Sequence, residues 1–348
     1  MSLPSRILIS FLFLGVLAVR AQTNFATFTD INDPNLPKDF KIQGEYVGGG
    51  YGAQVIALDK GNFQVVLFSG GLPGAGWDQT TRSLISGSLV ESIVLLRHVD
   101  GNRSYLAVEP LSFSATEKFP PVGQKSYSGS IENEVITLLG ENGEKLHLKK
   151  VVRESPTLDK APPANAIHLF DGSNKDHWIG GRLDPKTRLL NTDGRNLQTK
   201  KKFNHYSLHV EFMLPFRPSA RGQQRGNSGI YNVDMYENQI LDTFGLEGRD
   251  NECGGIYSIK NPMVNACFPP LSWQTFDIDF TNAHSDQGIK ISDARITVKL
   301  NGILIHDGFP IPHKTVGARK EAEGTPGAIK LQGHKNPLQF RNIWIIEK

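Results

Sequence analysis

The stretch ITVKLNGILI, residues 296–305, carries the strongest short-range fold signal in the chain. An Asn-Gly pair between two segments rich in β-branched residues is typical of a β-hairpin, because both positions of its two-residue turn require a positive φ. Short β-rich segments and turn residues recur on both sides of this hairpin, without a long stretch of helical periodicity. The sequence therefore predicts an all-β protein, with a sandwich or jelly roll around this hairpin.

Residues 154–165, with the sequence ESPTLDKAPPAN, predict a linker because they combine three prolines with no apolar periodicity. Upstream, residues 22–153 are expected to form a smaller β-rich accessory domain. In that domain turn signals predict three hairpins, at residues 53–68, 93–108 and 134–149. Downstream, residues 166–348 are expected to form the larger β-sandwich domain.

The first 21 residues are typical of a signal peptide. Arg6 precedes a short apolar run at residues 7–19, and small or β-branched residues stand at positions 19 and 21. The run is shorter than the ~20 residues that span a bilayer, so we expect cleavage before Gln22 and no membrane anchor afterwards. The mature protein is therefore predicted to be secreted or periplasmic.

Composition and cysteine content restrict the remaining functions. The formal net charge is +3 over 348 residues, and acidic and basic residues alternate without the basic clusters that nucleic-acid binding requires. Cys253 and Cys267 are the only cysteines. In an oxidising compartment they can form a disulfide, and two unpaired thiols are the alternative.

Three predicted strands place hydrogen-bonding side chains on one side by alternation. These side chains are His209 and Glu211, Glu237 and Gln239, and Lys330, Gln332 and His334. An ordinary solvated sheet face explains any one of these strands. If the three strands are neighbours, however, their Glu, Gln and His side chains form a concave binding surface that can also transfer protons.

The loop before the second of these strands adds candidate ligands. Arg225 leads into the turn Gly226-Asn-Ser-Gly229, where glycines allow a ligand to approach the backbone. Arg225 and Asn227 are therefore predicted to bind substrate. Arg217 and Arg221 fit a solvated loop equally well.

Seven motifs in a fixed order resemble the 3-keto-disaccharide hydrolase family, also described as 3-keto-glucoside lyase/hydratase domains. The motifs are LFDG (169–172) with Trp178, RGNSGIY (225–231), YENQILD (236–242), CGGIY (253–257), WQTFDI (273–278), LNG (300–302), and LQGH (331–334) with FRNIW (340–344). The resemblance covers about residues 165–348. It implies a concanavalin A-like jelly roll and action on sugars oxidised to a ketone at C-3. Gly333 departs from the Asp that more often precedes the His of the LQGH motif.

The resemblance implies a base, an acid and a set of sugar ligands. A ketone acidifies the neighbouring C–H bond, so a base can remove that proton and the glycosidic oxygen can leave from the next carbon. Glu237 and His334 are the predicted catalytic pair, in either order. The predicted substrate ligands are Arg225, Asn227, Gln239, Asp242, Lys330 and Gln332, and Asp242 is equally suited to order a turn. No cofactor is predicted with certainty; Glu211 can join the site or bind a divalent cation, although no ligand spacing demands a metal.

Two other classes remain as alternatives. A noncatalytic carbohydrate-binding module on the same fold would need aromatic platforms, for which Trp178 and Tyr236 are the candidates. A retaining glycosidase would need two carboxylates about 5 Å apart, and the nearest pattern is Asp234-x-x-Glu237. The keto-sugar enzyme is the favoured prediction.

Overall fold

The computed structural model describes residues 25–348, so the expected signal peptide and its cleavage point before Gln22 lie outside the described residues. Two antiparallel β structures follow each other along the chain: a closed barrel and then a two-sheet sandwich. The predicted all-β fold with a C-terminal jelly-roll sandwich is confirmed. Within the described part of the chain, no helix is both long and apolar enough to cross a membrane.

Between residues 25 and 151 the structure contains one short helix, ten strands and a 3-10 turn. Their bounds are α1 Lys38–Ile42, β1 Gly44–Gly48, β2 Tyr51–Ala57, β3 Asn62–Ser69, β4 Arg82–Val90, β5 Ile93–His98, β6 Ser104–Tyr105, a 3-10 turn Pro110–Ser112, β7 Phe113–Ser114, β8 Tyr127–Glu132, β9 Val135–Gly140 and β10 Lys145–Val151. Eight strands close the barrel in the order β1-β10-β9-β8-β5-β4-β3-β2. Closure leaves no unpaired edge within the barrel wall.

Two of the three hairpins predicted in this region are confirmed, at residues 53–68 and 134–149. The prediction of a hairpin at residues 93–108 is wrong. β5 pairs with β4 and β8, because Val94 and Leu96 fill the barrel interior, and the chain then leaves the barrel wall. Tyr105 instead lies in a small parallel pair formed by β6 and β7.

The barrel strands β2 and β3 are buried on both sides, which explains their nearly continuous apolar sequences. Val55 and Val65 point into the barrel. Ile56 and Phe68 point outward and pack against Phe244 of the sandwich. The barrel and the sandwich therefore share an apolar contact surface rather than a solvated gap.

The second part of the chain contains fifteen strands and one 3-10 turn among the described residues. Their bounds are β11 Ile167–Phe170, β12 Trp178–Ile179, β13 Arg182–Leu183, β14 Leu190–Asn191, β15 Leu197–Thr199, β16 Tyr206–Met213, a 3-10 turn Gly222–Gln224, β17 Ser228–Asn232, β18 Tyr236–Ile240, β19 Trp273–Thr281, β20 His284–Asp286, β21 Ile289–Ser292, β22 Ala294–Leu300, β23 Ile303–Ile311, β24 Lys330–Leu331 and β25 Gln339–Glu347.

These strands form two main sheets that enclose one core. An eight-stranded sheet has the order β13-β14-β25-β16-β19-β22-β23, with β11 paired to β25, and a five-stranded sheet has the order β12-β15-β24-β17-β18. Phe212 and Phe276 of the larger sheet belong to the same buried cluster as Ile230 and Leu331 of the smaller one. The two inner faces therefore exclude water from the middle of the sandwich.

The hairpin predicted at residues 296–305 is confirmed, with Leu300 opposite Ile303. Both turn residues have a positive φ, 53° at Asn301 and 77° at Gly302. A Cβ atom at Gly302 would lie 2.4 Å from a ring carbon of Pro156. The turn thus requires glycine both for its backbone conformation and for its contact with the segment that leaves the barrel.

The segment predicted as a linker contains no strand between Val151 and Ile167, but part of it packs closely on the sandwich. We call residues 155–160 the strap. Ser155 and Thr157 donate or accept hydrogen bonds at Thr275, and the Thr157 hydroxyl donates to Asp277 at 2.6 Å. The strap therefore covers part of the outer face of the eight-stranded sheet, at Thr275 and Asp277.

Candidate active site

The candidate site lies on the outer face of the five-stranded sheet. In the register of this sheet Tyr231 lies between Glu237 of β18 and Lys330 of β24, and Gly229 lies opposite Gln239. Alternation therefore directs these side chains to the side opposite the core. The neighbouring residues Ile230 and Leu331 point inward and are fully buried.

An open pocket of about 150 Å³ lies on this face. Its lining residues are Gln223, Asn227, Tyr231, Glu237, Gln239, Tyr257, Val316, Gly317, Gln332 and His334. The structure thus brings together both predicted catalytic residues, Glu237 and His334, with three of the predicted sugar ligands. Glu237 is the only carboxylate among the described residues that line the pocket.

One carboxylate oxygen of Glu237 accepts a hydrogen bond, and the other has no hydrogen-bond partner among the described residues. Its Oε2 accepts a hydrogen bond from the Tyr231 hydroxyl at 2.7 Å, whereas its Oε1 is buried and has no partner among the described residues. Gly229 makes room for this carboxylate, because a Cβ atom there would lie 2.1 Å from Oε1. A buried oxygen without a partner is costly unless a proton or a ligand satisfies it, so Glu237 has unmet hydrogen-bonding capacity in this pocket.

Burial raises the pKa of Glu237 to about 7, against the hydrogen bond from Tyr231 and the positive charge of Lys330, which lower it. A carboxyl group with this pKa is present in both protonation states near neutral pH. It can therefore accept and return a proton at similar cost.

Tyr231 is a site residue that the sequence analysis missed. Its hydroxyl lies 2.7 Å from Glu237 Oε2 and 2.8 Å from the Val316 carbonyl oxygen, and it accepts from Gln332 Nε2 at 3.3 Å. Burial and the nearby carboxylate raise the pKa of Tyr231, so its hydroxyl keeps its proton. When Glu237 is ionised, the Tyr231 hydroxyl donates this proton to Glu237. When Glu237 is protonated, Glu237 donates to the Tyr231 oxygen, and the Tyr231 hydroxyl donates to the Val316 carbonyl. Alternation places Tyr231 on the same side of β17 as Gly229, but it does not show which residue lies opposite Tyr231.

Lys330, predicted as a sugar ligand, lies behind Tyr231 rather than in the pocket lining. Its Nζ lies 2.5 Å from Asp234, donates to the Gly317 carbonyl at 2.9 Å and stands 3.8 Å from the centre of the Tyr231 ring. With these partners the side chain is almost fully buried. Its charge acts on Tyr231 and Glu237, whose ionised form it favours.

The polar walls of the pocket come from Asn227, Gln239, Gln332 and His334. Asn227 Oδ1 accepts from Gln239 Nε2 at 3.0 Å, which fixes both amides. The Gln332 backbone amide donates to the Gly229 carbonyl at 2.8 Å and keeps the end of β24 beside β17. His334 is exposed, and its ring has no hydrogen-bond partner among the described residues. It can therefore reorient toward a ligand.

Arg225 and Asp242, predicted as sugar ligands, are not in this pocket. Arg225 Nε donates to Asp242 at 2.6 Å, and Arg225 Nη1 donates to the carbonyl of Ala57, in the barrel, at 3.2 Å. Both side chains are buried at the contact between the barrel and the sandwich. The geometry supports a structural ion pair, because their polar atoms already serve each other and the barrel.

His209 and Glu211 are also separated from the pocket, because β16 belongs to the opposite sheet. The prediction that β16 lies beside the other two strands and contributes to one binding surface is therefore wrong. Glu211 accepts from Arg341 at 2.7 Å, from Asn342 at 2.8 Å and from the backbone amide of Asp159 in the strap at 2.6 Å. Glu211 therefore does not join the site. Within residues 25–348 no group of three or more His, Cys, Asp or Glu side chains is arranged to share a metal ion.

Cys253 and Cys267 lie in the sandwich core without a bridge between them. Burial, and then the hydrogen bond with Cys253, raise the pKa of Cys267. The disulfide stays a prediction.

Part of the chain is similar in sequence and structure to known proteins. A sequence model of the 3-keto-alpha-glucoside-1,2-lyase-like domain matches residues 165–346. The crystal structure of a Parabacteroides distasonis protein to which glycosyl hydrolase activity is ascribed is 31% identical, covers 57% of this chain and 91% of its own, and has a TM-score of 0.51. Another such protein from that organism is 17% identical over 53% of this chain and 94% of its own, with a TM-score of 0.39. No curated protein matches the chain. By its residues 165–346 and the sandwich that they form, the chain belongs to the family of 3-keto-alpha-glucoside-1,2-lyase-like domains.

Proposed function

We propose that this protein cleaves the glycosidic bond of 3-keto-glycosides by base-catalysed elimination followed by hydration. The observation that carries the proposal is Glu237, a buried carboxyl group with a pKa of about 7 that lines an open polar pocket and keeps one oxygen without a partner among the described residues. The family match and the relative with an ascribed glycosyl hydrolase activity support a carbohydrate-active enzyme.

In the proposed reaction Glu237 removes the C-2 proton of the keto-sugar, which the C-3 ketone acidifies. The electron pair forms an enolate, and Gln332 Nε2 donates a hydrogen bond to its developing charge. The C-1–oxygen bond then breaks, the leaving oxygen takes a proton from His334, and a C-1=C-2 double bond remains. Water then adds its hydroxyl to C-1 and gives its other proton to His334, while Glu237 returns a proton to C-2. The net result is hydrolysis, and both catalytic groups regain their starting protonation.

The two alternative classes fit the site less well. Trp178 and Tyr236, the candidate sugar platforms of a binding module, are both almost fully buried on the inner side of the sheet. Asp234 is bound by Lys330 and does not line the pocket, so Glu237 has no second carboxylate beside it there. A retaining mechanism needs such a pair.

We further propose that the enzyme acts outside the cytoplasm, after cleavage of residues 1–21. The apolar run at residues 7–19 supports this proposal. Western blotting of culture medium and cell fractions tests it, and an uncleaved protein retained in the cytoplasm would contradict it.

The activity test is incubation of residues 22–348 with a 3-keto-glucoside and, in parallel, with its unoxidised parent. Mass spectrometry follows the products. We expect cleavage of the keto form alone, with an unsaturated keto-sugar as a transient species. Cleavage of the parent would instead support a retaining glycosidase, and binding without cleavage of either sugar would support a binding module.

A further inference from the structure

The barrel contacts the sandwich immediately behind one wall of the pocket. This wall consists of Gln223, Asn227 and Gln239, and we call it the amide wall. Its three side chains form a chain of hydrogen bonds: Asn227 Nδ2 donates to Gln223 Oε1 at 2.6 Å, and Gln239 Nε2 donates to Asn227 Oδ1 at 3.0 Å. Gln223 therefore orients Asn227 directly, whereas Gln239 Nε2 is also held by the carbonyls of Ser228 and Ile240, each at 2.9 Å.

One barrel contact holds the chain just before Gln223. Arg221 donates from Nη2 to the carbonyl of Leu58, the residue after β2, at 2.9 Å. Its Nη1 donates to the carbonyls of Pro218 and Ala220 within its own loop, at 2.6 and 2.8 Å. A guanidinium with this fork of donors fixes the loop to the barrel in one arrangement.

A second contact, from the β6–β7 pair beside the barrel, holds the other side of Gln223. Tyr105, in β6, donates its hydroxyl proton to Glu252, whose other oxygen accepts the backbone amides of Gly248 and Arg249 at 2.8 and 3.0 Å. These bonds order the turn that contains Asn251. The Asn251 carbonyl accepts from Gln223 Nε2 at 2.8 Å.

We propose that the barrel is a working part of the sugar site, and that Arg221 and Tyr105 are positioning residues for the amide wall. This inference rests on the proposed function. Neither residue lines the pocket, so each acts through Gln223. Misplaced amides lose hydrogen bonds to sugar hydroxyls in the ground state and transition state alike, which weakens binding without slowing the chemical step.

The test measures kcat and KM of the full mature chain on a 3-keto-glucoside. We expect Arg221→Ala to raise KM about tenfold and Tyr105→Phe about threefold, with kcat within about twofold of the wild-type value. Arg221→Lys keeps one charged donor without the fork and should give an intermediate KM. Tyr51→Phe is the matched control, because it removes a similar hydroxyl contact, to Glu144 at 3.1 Å, within the barrel itself.

Hydrogen exchange gives a second readout that does not depend on turnover. Amides in residues 222–227 should exchange faster in Arg221→Ala than in the wild type or in Tyr51→Phe. An unchanged KM with unchanged exchange would overturn the inference, as would loss of folded protein with normal KM in the folded fraction. If the wild type turns over no 3-keto-glucoside, the proposed function fails, and the exchange of these amides still decides whether the barrel holds the wall.

Discussion

The two outer faces of the sandwich carry similar residues but offer different chemistry. Glu237, on the smaller sheet, keeps one carboxylate oxygen without a partner beside an open pocket. Glu211, on the larger sheet, is equally buried, but Arg341, Asn342 and the strap occupy its oxygens. A carboxylate acts on a ligand only where the fold leaves it unsatisfied and accessible. The two faces therefore differ in whether neighbouring segments bind the carboxylate, and not in the type of residue that they carry.

The substitution with the largest expected effect on this difference between the two faces is Glu237→Gln. The amide keeps the shape of the side chain but cannot remove a proton, so we expect kcat/KM on a 3-keto-glucoside to fall about a thousandfold. Stability should not fall, because the change removes a buried charge that burial disfavours. Steady-state kinetics and thermal unfolding measure the two effects. Activity within tenfold of the wild type would place the base elsewhere.

The matched substitution on the other face is Glu211→Gln, with the opposite expected outcome. Arg341 loses its ion pair with Glu211 but keeps the one with Asp159, and an amide group faces hydrogen-bond donors, so the free energy of unfolding should fall by about 2 kcal/mol. The kcat of the folded protein should remain at the wild-type level. Denaturant unfolding and kinetics on the same preparation check both. A large loss of kcat at unchanged stability would mean that this face takes part in the reaction.

The pH dependence of kcat/KM tests whether Glu237 is the base. The base acts when deprotonated, so kcat/KM should fall tenfold per pH unit as pH decreases below about 7. Tyr231→Phe removes a hydrogen bond that lowers this pKa, so the acid limb should move to higher pH, with about tenfold lower activity at pH 7. Rates measured across pH 5–9 test the shift. An unmoved or lower midpoint would contradict the Tyr231–Glu237 contact.

The smallest expected effect concerns the strap alone. Thr157→Val keeps the shape of the side chain and removes the hydroxyl that donates to Asp277 at 2.6 Å. The free energy of unfolding should fall by about 1 kcal/mol, with no change in KM. Ser173→Ala, at an exposed turn of the same sandwich, is the control for loss of a hydroxyl that bonds a carboxylate. Equal effects in the two variants would mean that the strap does not stabilise this face.

Much of the fold could be predicted because its signals are local. The Asn301-Gly302 turn and the alternation in β16, β18 and β24 depend on neighbouring residues alone. The hairpin at residues 93–108 failed because barrel closure pairs β5 with β8, more than thirty residues further along the chain. No turn signal records such a partner.

The site was predicted in part for the same reason. Glu237 and Gln239 share a strand face, and the family motifs led to His334, so these residues were found together. Arg225 and Asp242 lie outside this pocket because their ion pair forms against a barrel carbonyl that is distant in sequence. Tyr231 was missed because an aromatic residue in a strand is ordinarily a core residue, and only the register shows it opposite Glu237.

The sequence by itself determined the hairpins at residues 53–68, 134–149 and 296–305, the strand face that Glu237 and Gln239 share, and the family. The tertiary structure alone decided which sheet each strand joins, which outer face the strap covers and which carboxylate remains unpartnered. The physical reason is the range of the interactions. Alternation follows from the geometry of one strand, whereas burial and hydrogen-bond satisfaction depend on segments brought together from more than a hundred residues away.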